Sequence, residues 1–468
     1  MTGPKGPPRL WSIVREALRG SHVELTEISI PRAVAALAIP MVLEMSMESL
    51  FAVVDIFYVS KLGSDAVATV GLTEALLSLM YALAMGSGAA ATAVISRRSG
   101  EKDADGAASA AVHVIFEAVV VALVLGAVGA ALSPRLLSAM GAAPSVVESG
   151  SGYTAIMLGG SVTIFLLFVV NAVFRGAGDA AIAMRSLWLA NLLNIVLAPC
   201  FIFGVGPIPR MGVAGAAVAT TLSRATGVAY QLVTLARGRG RLVLLRKHFV
   251  FRARLMTELL RLGATASLQT LVETASWLGL VRIVASFGST ALAGYTIAMR
   301  VAIFALLPSW GMANAAATLV GQNLGAGHPE RASKSVSTIA LYNLVFLGGV
   351  SALFALFPGW IVEVFTHDAG VLVFGTEALR IVALGFLCFG YGMIVVQAFN
   401  GAGDPTTPML LNIVCFWVVK IPIAYVLARP LGLGPRGVFL AITLGYSLQA
   451  ITGGILFRRG RWKKIKLA

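Results

Sequence analysis

Charged residues are scarce in this chain. Only 12% of its 468 residues are Asp, Glu, Lys or Arg, whereas a soluble globular domain carries about 25%. Hydrophobic residues make up 58%, and the mean hydropathy is +0.87. So few charges cannot cover the surface of a soluble protein of this length. The composition therefore excludes an ordinary soluble domain and predicts a membrane protein.

Cysteine and histidine are also few. The three cysteines all fall inside predicted apolar helices, which gives no disulfide or metal framework. The five histidines are scattered, mostly in loops or near helix ends, and form no catalytic pair at depth. We therefore expect neither an enzyme nor a bound cofactor. The segment up to Ile30 lacks an early apolar run, so no cleavable signal peptide is predicted.

Long apolar runs, in contrast, fill most of the chain. A hydrocarbon layer roughly 30 Å thick needs about 20 apolar residues per crossing helix. Twelve such runs are present, at 33–58, 66–95, 107–132, 152–174, 184–204, 212–236, 262–287, 291–319, 335–357, 376–400, 409–430 and 435–457. The chain is predicted to cross the membrane twelve times.

The chain also repeats itself at one fixed offset. FRGAGD (Phe174–Asp179) recurs as FNGAGD (Phe399–Asp404), and GSGAAATAV (Gly86–Val94) recurs at the same offset as GMANAAATL (Gly311–Leu319). Each repeat holds six helices, so both repeats have the same orientation, related by an axis along the membrane normal. We predict an all-α polytopic membrane protein with two six-helix repeats around a central cleft.

Basic residues indicate the orientation. The net charge is +15, and most Lys and Arg fall in the loops of one side together with both termini and the central linker. By the positive-inside rule, that side faces the cytoplasm, and the chain is predicted to lie in the cell membrane. The linker and the tail are predicted to contact anionic lipids rather than nucleic acid. The predicted segments are an N-terminal cytoplasmic segment (1–32), two bundles (33–236 and 262–457), a basic linker (237–261) and a basic tail (458–468).

Three acids share one face of the first helix. Glu44, Glu48 and Asp55 lie within roughly 40° of one another at 100° per residue. An ionisable side chain inside a membrane helix costs about 2.5–3.5 kcal/mol on insertion scales. Such a stripe cannot face lipid. It faces a water-filled cavity or partners inside the bundle.

The seventh helix carries the matching acid. The repeat aligns Glu273 with Glu48, and Gln269 with Glu44. A carboxylate from each half beside a central cleft suits a cationic substrate or an exchangeable proton, so we predict these four residues as cleft or substrate residues. The alternative is that each acid only pairs with a buried base. The candidate bases are Arg224, Arg300 and Lys420.

The fifth and sixth helices supply polar oxygens. Asn191 and Asn194 are spaced i, i+3 and share a face, and Thr220 and Thr221 could join them. With Asp55 they form a plausible oxygen cage for a small cation. We predict Asp55, Asn194, Thr220 and Thr221 as coupling-ion residues and Asn191 as a cleft residue. Plain interhelical hydrogen bonding is the alternative.

Several motifs resemble one transporter family. The segment IPMVLEMSMESLFAVVDIFYVSKLGSDAVATVGL (Ile39–Leu72), the FRGAGD and FNGAGDPTTP turns, and the IPIAYVL and GLGPRGV segments near the C-terminus resemble the multidrug and toxic compound extrusion (MATE) family. The resemblance implies two six-helix bundles facing a central cleft, and export of cationic or amphipathic compounds in exchange for protons or sodium. It places the family's first-helix acid on Asp55, and the seventh-helix acid of one branch on Glu273.

The chain departs from the family at two places. The fifth-helix pattern Asn-x-x-x-Asp-Pro matches at Asn194 and Pro199, but Ala198 replaces the Asp, and no acid lies between Arg380 and Gly403. We therefore predict a monomeric secondary active multidrug exporter that exchanges its substrates for protons, with sodium second. A lipid-linked saccharide flippase remains the alternative, because buried bases could hold a diphosphate.

Overall fold

A computed structural model describes residues 10–20 and 24–467. Residues 1–9, 21–23 and 468, which belong to the predicted N-terminal segment and tail, lie outside the described residues. Within the described ranges every regular element is a helix. The helices form two sets of six spans, which confirms the predicted fold class.

Spans 1 to 6 make up the N half and spans 7 to 12 the C half. The N half comprises Ile30–Ser60, Ser64–Gly100, Ala104–Ala131, the broken span Pro144–Gly159 with Ser161–Ala177, Ala180–Phe203 and Val213–Ala236. The C half comprises Ala253–Ala285, Ser289–Gly325, Pro329–Leu356, the broken span Ala369–Leu384 with Phe386–Ala402, Thr406–Ala428 and Pro435–Arg458. Shorter helices are Leu10–Arg19, Ser133–Ala139, Arg246–Phe249, Pro358–Glu363 and Arg461–Lys464.

Not every span is equally apolar. Across the described chain, nine helices are long and apolar enough to cross a membrane, and span 10 is a tenth if its two parts, bent by 53°, count as one. Spans 6 and 7 fall below that level because they carry polar residues along their length. Those residues include Arg224 and Gln231 in span 6, and Gln269 and Glu273 in span 7. Both of these less apolar spans carry predicted site residues, as do spans 1 and 5.

The breaks in spans 4 and 10 are equivalent. They fall at Gly160 and Gly385, two positions that the repeat aligns. A Cβ placed on Gly160 would lie 2.7 Å from Cγ2 of Thr221, and one on Gly385 would lie 3.1 Å from Cγ2 of Thr443. Each break is therefore filled by a threonine from the last span of its own half.

Both ends of the described chain lie on one side of the bundle. Arg97, near the end of span 2, donates a hydrogen bond to the backbone oxygen of Ile465. Lys102 donates to Glu27 over 3.1 Å, and the linker helix Arg246–Phe249 packs against span 3. We call this the terminal side. The grouping of termini and linker on one side agrees with an even number of spans in each half.

Spans 2 and 8 meet at the terminal side with two-fold pseudosymmetry. A Cβ on Gly100 would lie 2.0 Å from the backbone oxygen of Gln322, and one on Gly325 would lie 2.1 Å from that of Arg97. The repeat exchanges these two contacts, since it aligns Gly100 with Gly325 and Arg97 with Gln322. The backbones touch only because both positions are glycine. The two halves are therefore closed against each other on the terminal side.

Buried apolar residues show the same closure. One large cluster lies mainly in the N half and another in the C half. A third cluster joins the start of span 1, from Ala33 to Met41, to buried residues of spans 8, 9, 10 and 12. The core that is shared between the halves thus includes the start of span 1, next to the terminal side.

Candidate ion and substrate sites

Span 1 presents its three acids to the interior of the N half. The helix runs unbroken from Ile30 to Ser60 and contains Pro40. From the terminal side outward the acids are Glu44, Glu48 and Asp55, and each contacts a different set of neighbours. The predicted stripe is therefore present, but its members do not form one site.

Asp55 lies in a hydrogen-bonded cluster with spans 5 and 6. Asn194 Nδ2 donates to Asp55 Oδ1 over 2.7 Å, and Thr220 Oγ1 donates to Asp55 Oδ2 over 3.1 Å. Asn194 and Thr220 are both buried. The structure thus joins three of the four predicted coupling-ion residues. Thr221 lies apart from them, against the break at Gly160, where it serves packing.

The C half does not repeat this cluster. The residue that the repeat aligns with Asp55 is Leu280, which is fully buried. An apolar side chain at that position cannot bind a proton or a cation. The Asp55 cluster therefore makes the two halves chemically unequal.

Glu48 faces an arginine of span 6. Its Oε1 lies 3.8 Å from Arg224 Nη2, and Arg224 Nη1 donates to the hydroxyl of Tyr81 over 2.9 Å. Arg224 is buried, whereas 26% of the Glu48 side chain is exposed. The acid is thus paired on one side and accessible on the other.

Glu44 is a member of a buried polar network. Its Oε1 accepts from Arg175 Nη1 over 2.7 Å and from Asn171 Nδ2 over 2.9 Å. Gln231 and Ser186 in turn donate to Asn171 Oδ1 over 2.5 Å and 3.1 Å. The network ties spans 1, 4, 5 and 6 together. Glu44 is 1% exposed, so its place is that of a structural ion pair.

Arg175 was not among the bases considered as partners from sequence. It belongs to the FRGAGD motif, which sequence reasoning assigned to a loop, yet the helix Ser161–Ala177 includes it and its side chain is largely buried. The available signal was that the apolar run of span 4 continues up to the arginine without a break. A partner for Glu44 was therefore present within the predicted bundle.

The asparagines of span 5 have one further property. Asn191 Nδ2 donates to the backbone oxygen of Met47 over 3.1 Å. The Oδ1 atoms of Asn191 and Asn194 are both buried without a hydrogen-bond partner in the described chain. Two amide oxygens of span 5 thus remain without a hydrogen-bond partner in the described chain, and one of them, from Asn194, belongs to the Asp55 cluster.

Glu74 of span 2 is a further acid within a membrane span, and its side chain is exposed. Its charge interacts with that of Asp55 in the N half and with that of Arg300 in the C half.

Glu273 is the C-half counterpart of Glu48. The hydroxyl of Tyr446 donates to its Oε1 over 3.4 Å. Gly212 and Gly434 open spans 6 and 12 with nearly the same φ and ψ, 58° and −137° against 57° and −142°. When span 6 is aligned with span 12 at these two glycines, Arg224 aligns with Tyr446, because each lies twelve residues after its glycine. In each half the acid therefore contacts the same aligned position of the last span, which is Arg224 for Glu48 and Tyr446 for Glu273.

Gln269 lies deeper than Glu273. It is buried, its backbone oxygen accepts from Asn412 Nδ2 over 3.4 Å, and its side-chain Oε1 has no hydrogen-bond partner within the described ranges. The predicted cleft role of this residue is not apparent from these contacts. Nor do the described residues contain a group of three His, Cys, Asp or Glu side chains that could hold a metal ion.

Comparison with known proteins gives one consistent result. A family model for MatE matches residues 40–200 and 266–426, once in each half. The chain is 26% identical over 460 residues to a probable multidrug resistance protein NorM of Thermotoga maritima, covering 96% of this chain and 97% of that protein. It is 24% identical to an FAD transporter of Shewanella oneidensis, covering 87% and 90%.

A solved structure is equally similar. It is a MOP superfamily transporter from Pyrococcus furiosus, described as having a binding pocket of reverse polarity that suggests a different function. The TM-score is 0.88 at 28% identity, and the match covers 95% of this chain and 98% of that one. The likeness thus extends over both halves and their mutual arrangement.

Proposed function

The chain belongs to the MatE family of membrane transporters, and we propose that it exports hydrophobic cations from the cell in exchange for protons. The observation that carries the proposal is the Asp55 cluster. A single carboxylate, held by Asn194 and Thr220 inside the N half, is suited to bind and release one proton.

Protonation of Asp55 changes its hydrogen bonds. The carboxylate accepts one bond on each oxygen, from Asn194 and from Thr220. A protonated acid carries a donor of its own on one of these oxygens, so it can no longer accept both bonds equally. Span 1 then repacks against spans 5 and 6. Pro40, which lacks the amide hydrogen needed for a regular helix, supplies the flexible point.

Sodium is the second candidate for the coupling ion. The free Oδ1 atoms of Asn191 and Asn194 favour it, since small hard cations are bound by several oxygens. The proton is preferred because the cluster has one carboxylate, and fully buried Ala198 stands where the family pattern has a second.

The charge of the cleft residues supports a cationic substrate. Glu48 and Glu273 occupy equivalent positions in the two halves, and both are only partly buried. The buried arginines of the N half, Arg175 and Arg224, already face Glu44 and Glu48. A flippase for diphosphate-linked saccharides needs uncompensated bases, and these pairings leave neither Arg175 nor Arg224 as such a base. Relatives named for multidrug resistance and for FAD transport differ in substrate, so the acids here decide the proposal.

The closed terminal side indicates the state of the transporter. Basic residues of the loops and linker place this side in the cytoplasm by the positive-inside rule. The glycine contacts of spans 2 and 8 seal it. We infer an outward-facing arrangement in the cell membrane, with the two halves rocking about their pseudo-two-fold axis during export.

The test is transport in proteoliposomes under one gradient at a time. An imposed pH gradient without sodium should drive accumulation of ethidium, an aromatic monovalent cation. An imposed sodium gradient at equal pH should not. The reverse result would assign sodium as the coupling ion, and accumulation under neither gradient would refute the exporter.

A further inference from the structure

The C half contains a buried lysine that is surrounded by aromatic rings. Lys420 is fully buried, and its Nζ lies 4.0 Å from the ring centroid of Phe416, 5.1 Å from that of Tyr446 and 5.3 Å from that of Trp277. It donates to Ser276 Oγ over 3.0 Å. In the described chain no carboxylate lies within 4.0 Å of the ammonium. Ring faces rather than an ion pair therefore hold this charge.

A carboxylate stands beside these rings. Glu273 is one helical turn before Trp277, its charge interacts with that of Lys420, and it accepts the hydrogen bond from Tyr446. Aromatic rings that face a cation are the feature by which proteins recognise quaternary ammonium groups, and a nearby carboxylate balances the charge. We call Phe416, Tyr446, Trp277 and Glu273 the cage.

The local backbone is built around the lysine. Residues Ile413–Lys420 form a π-helix, in which the wider turn shifts side chains from their usual faces, and such segments occur often at functional sites. The lysine stem packs on Gly445 of span 12, where a Cβ would lie 2.8 Å from its Cδ. Span 5, the N-half counterpart, is α-helical throughout. The cage is thus specific to the C half.

The cage adjoins an apolar cavity. The cavity has a volume of about 30 Å³, and two cage rings, Trp277 and Tyr446, form part of its wall. Other wall residues are Met299, Leu306, Phe386 and Phe389. A hydrophobic cation could place its charge in the cage and its apolar part in this cavity. At this volume the cavity is too small for such a compound, so substrate binding requires its wall residues to move apart.

We propose that the cage binds the cationic group of the transported compound, and that the Lys420 ammonium occupies it as an internal competitor when no substrate is bound. The proposal rests on the proposed function for the class of substrate. Substrate binding then requires the ammonium to leave the rings. The lysine thereby sets the affinity. It weakens binding of every cation, and in the empty transporter its charge compensates that of the partly buried Glu273 carboxylate.

The test is equilibrium binding of tetraphenylphosphonium to the purified full-length protein, at one pH and without any gradient. Lys420→Met, which keeps the length of the side chain and removes its charge, should raise the affinity roughly tenfold, the size of the lost competition with the rings. Lys420→Arg should give no gain. Lys334→Met is the matched control, because Lys334 is an exposed lysine of the same half, and it should bind as the parent protein does.

A neutral probe separates charge from space. Triphenylphosphine oxide should show no comparable gain in Lys420→Met. An equal gain for both probes, or no gain for the cation, would overturn the proposal. Ser276→Ala, which only removes the hydrogen bond to the ammonium, should raise cation affinity roughly threefold and serves if Lys420→Met does not fold. If gradient-driven transport fails while these gains in binding are still measured, the proposed exporter function is refuted and the proposed role of the cage is not.

Discussion

Replacing Asp55 by asparagine tests how many protons drive one transport cycle. The cluster of Asp55, Asn194 and Thr220 contains one carboxylate, and the equivalent C-half residue is Leu280. One proton exchanged for one monovalent cation moves no net charge. At zero membrane potential, each pH unit then supplies about 1.4 kcal/mol, which corresponds to a tenfold concentration ratio of the substrate.

The assay is steady-state accumulation of ethidium in proteoliposomes, with the membrane potential held at zero by potassium and valinomycin. The logarithm of the accumulation ratio, plotted against the pH difference, should have a slope of about one for the parent protein. Asp55→Asn keeps the volume of the side chain and, like the protonated acid, has one acceptor oxygen and one donor group, but it cannot titrate. Its slope should be zero.

The matched control is Asp65→Asn, which removes an exposed acid at the start of span 2. It should keep the slope of the parent protein. Two results would refute the reasoning. Undiminished accumulation by Asp55→Asn would show that the proton binds elsewhere, and a parental slope near two would show a second proton, for which Glu273 of the C half is a candidate.

Three further predictions concern the polar network, the closed side and the ion. Glu44→Ala leaves a buried arginine without its counter-charge and should lower the free energy of unfolding by about 3–5 kcal/mol, measured by denaturant titration in detergent; an effect below about 1 kcal/mol would contradict the buried pair. Gly100→Ala should part spans 2 and 8, so that a cysteine at Ser96 reacts faster with aqueous thiol reagents, whereas Gly71→Ala, which has open space, should not change the rate. Ala198→Asp should create a response to sodium gradients, and an unaltered ion preference would show that residue 198 does not face the ion.

Much of the Asp55 cluster was predictable from sequence. Asn194 follows Asn191 by one turn, and both lie on the helix before Thr220, so a polar contact with an acid of span 1 was the simplest way to bury them. The structure shows that contact for Asn194 and Thr220. Adjacent Thr221 points about 100° away on the same helix, and this rotation alone separates a cluster residue from a packing residue.

The partners of the acids were not predictable. Arg224 was one of three bases that sequence reasoning could offer, and the structure selects it for Glu48 by bringing span 6 beside span 1. For Glu44 the partner is Arg175, which the sequence suggested was in a loop. Such ion pairs depend on the rotation and the axial shift of one helix relative to another. The spacing of residues along a single helix gives no information on either.

The sequence by itself determined that the chain crosses a membrane, that it does so in two like-oriented repeats, and that three acids share one face of span 1 while the repeat aligns one of them with an acid of span 7. These properties follow from hydrophobic length and from periodicity, which act on each segment separately. Only the tertiary structure decided that spans 2 and 8 touch through Gly100 and Gly325, and that three rings from spans 7, 11 and 12 surround Lys420. Contacts between segments far apart in the chain arise when all helices pack at once, because each helix can bury its polar face against more than one neighbour.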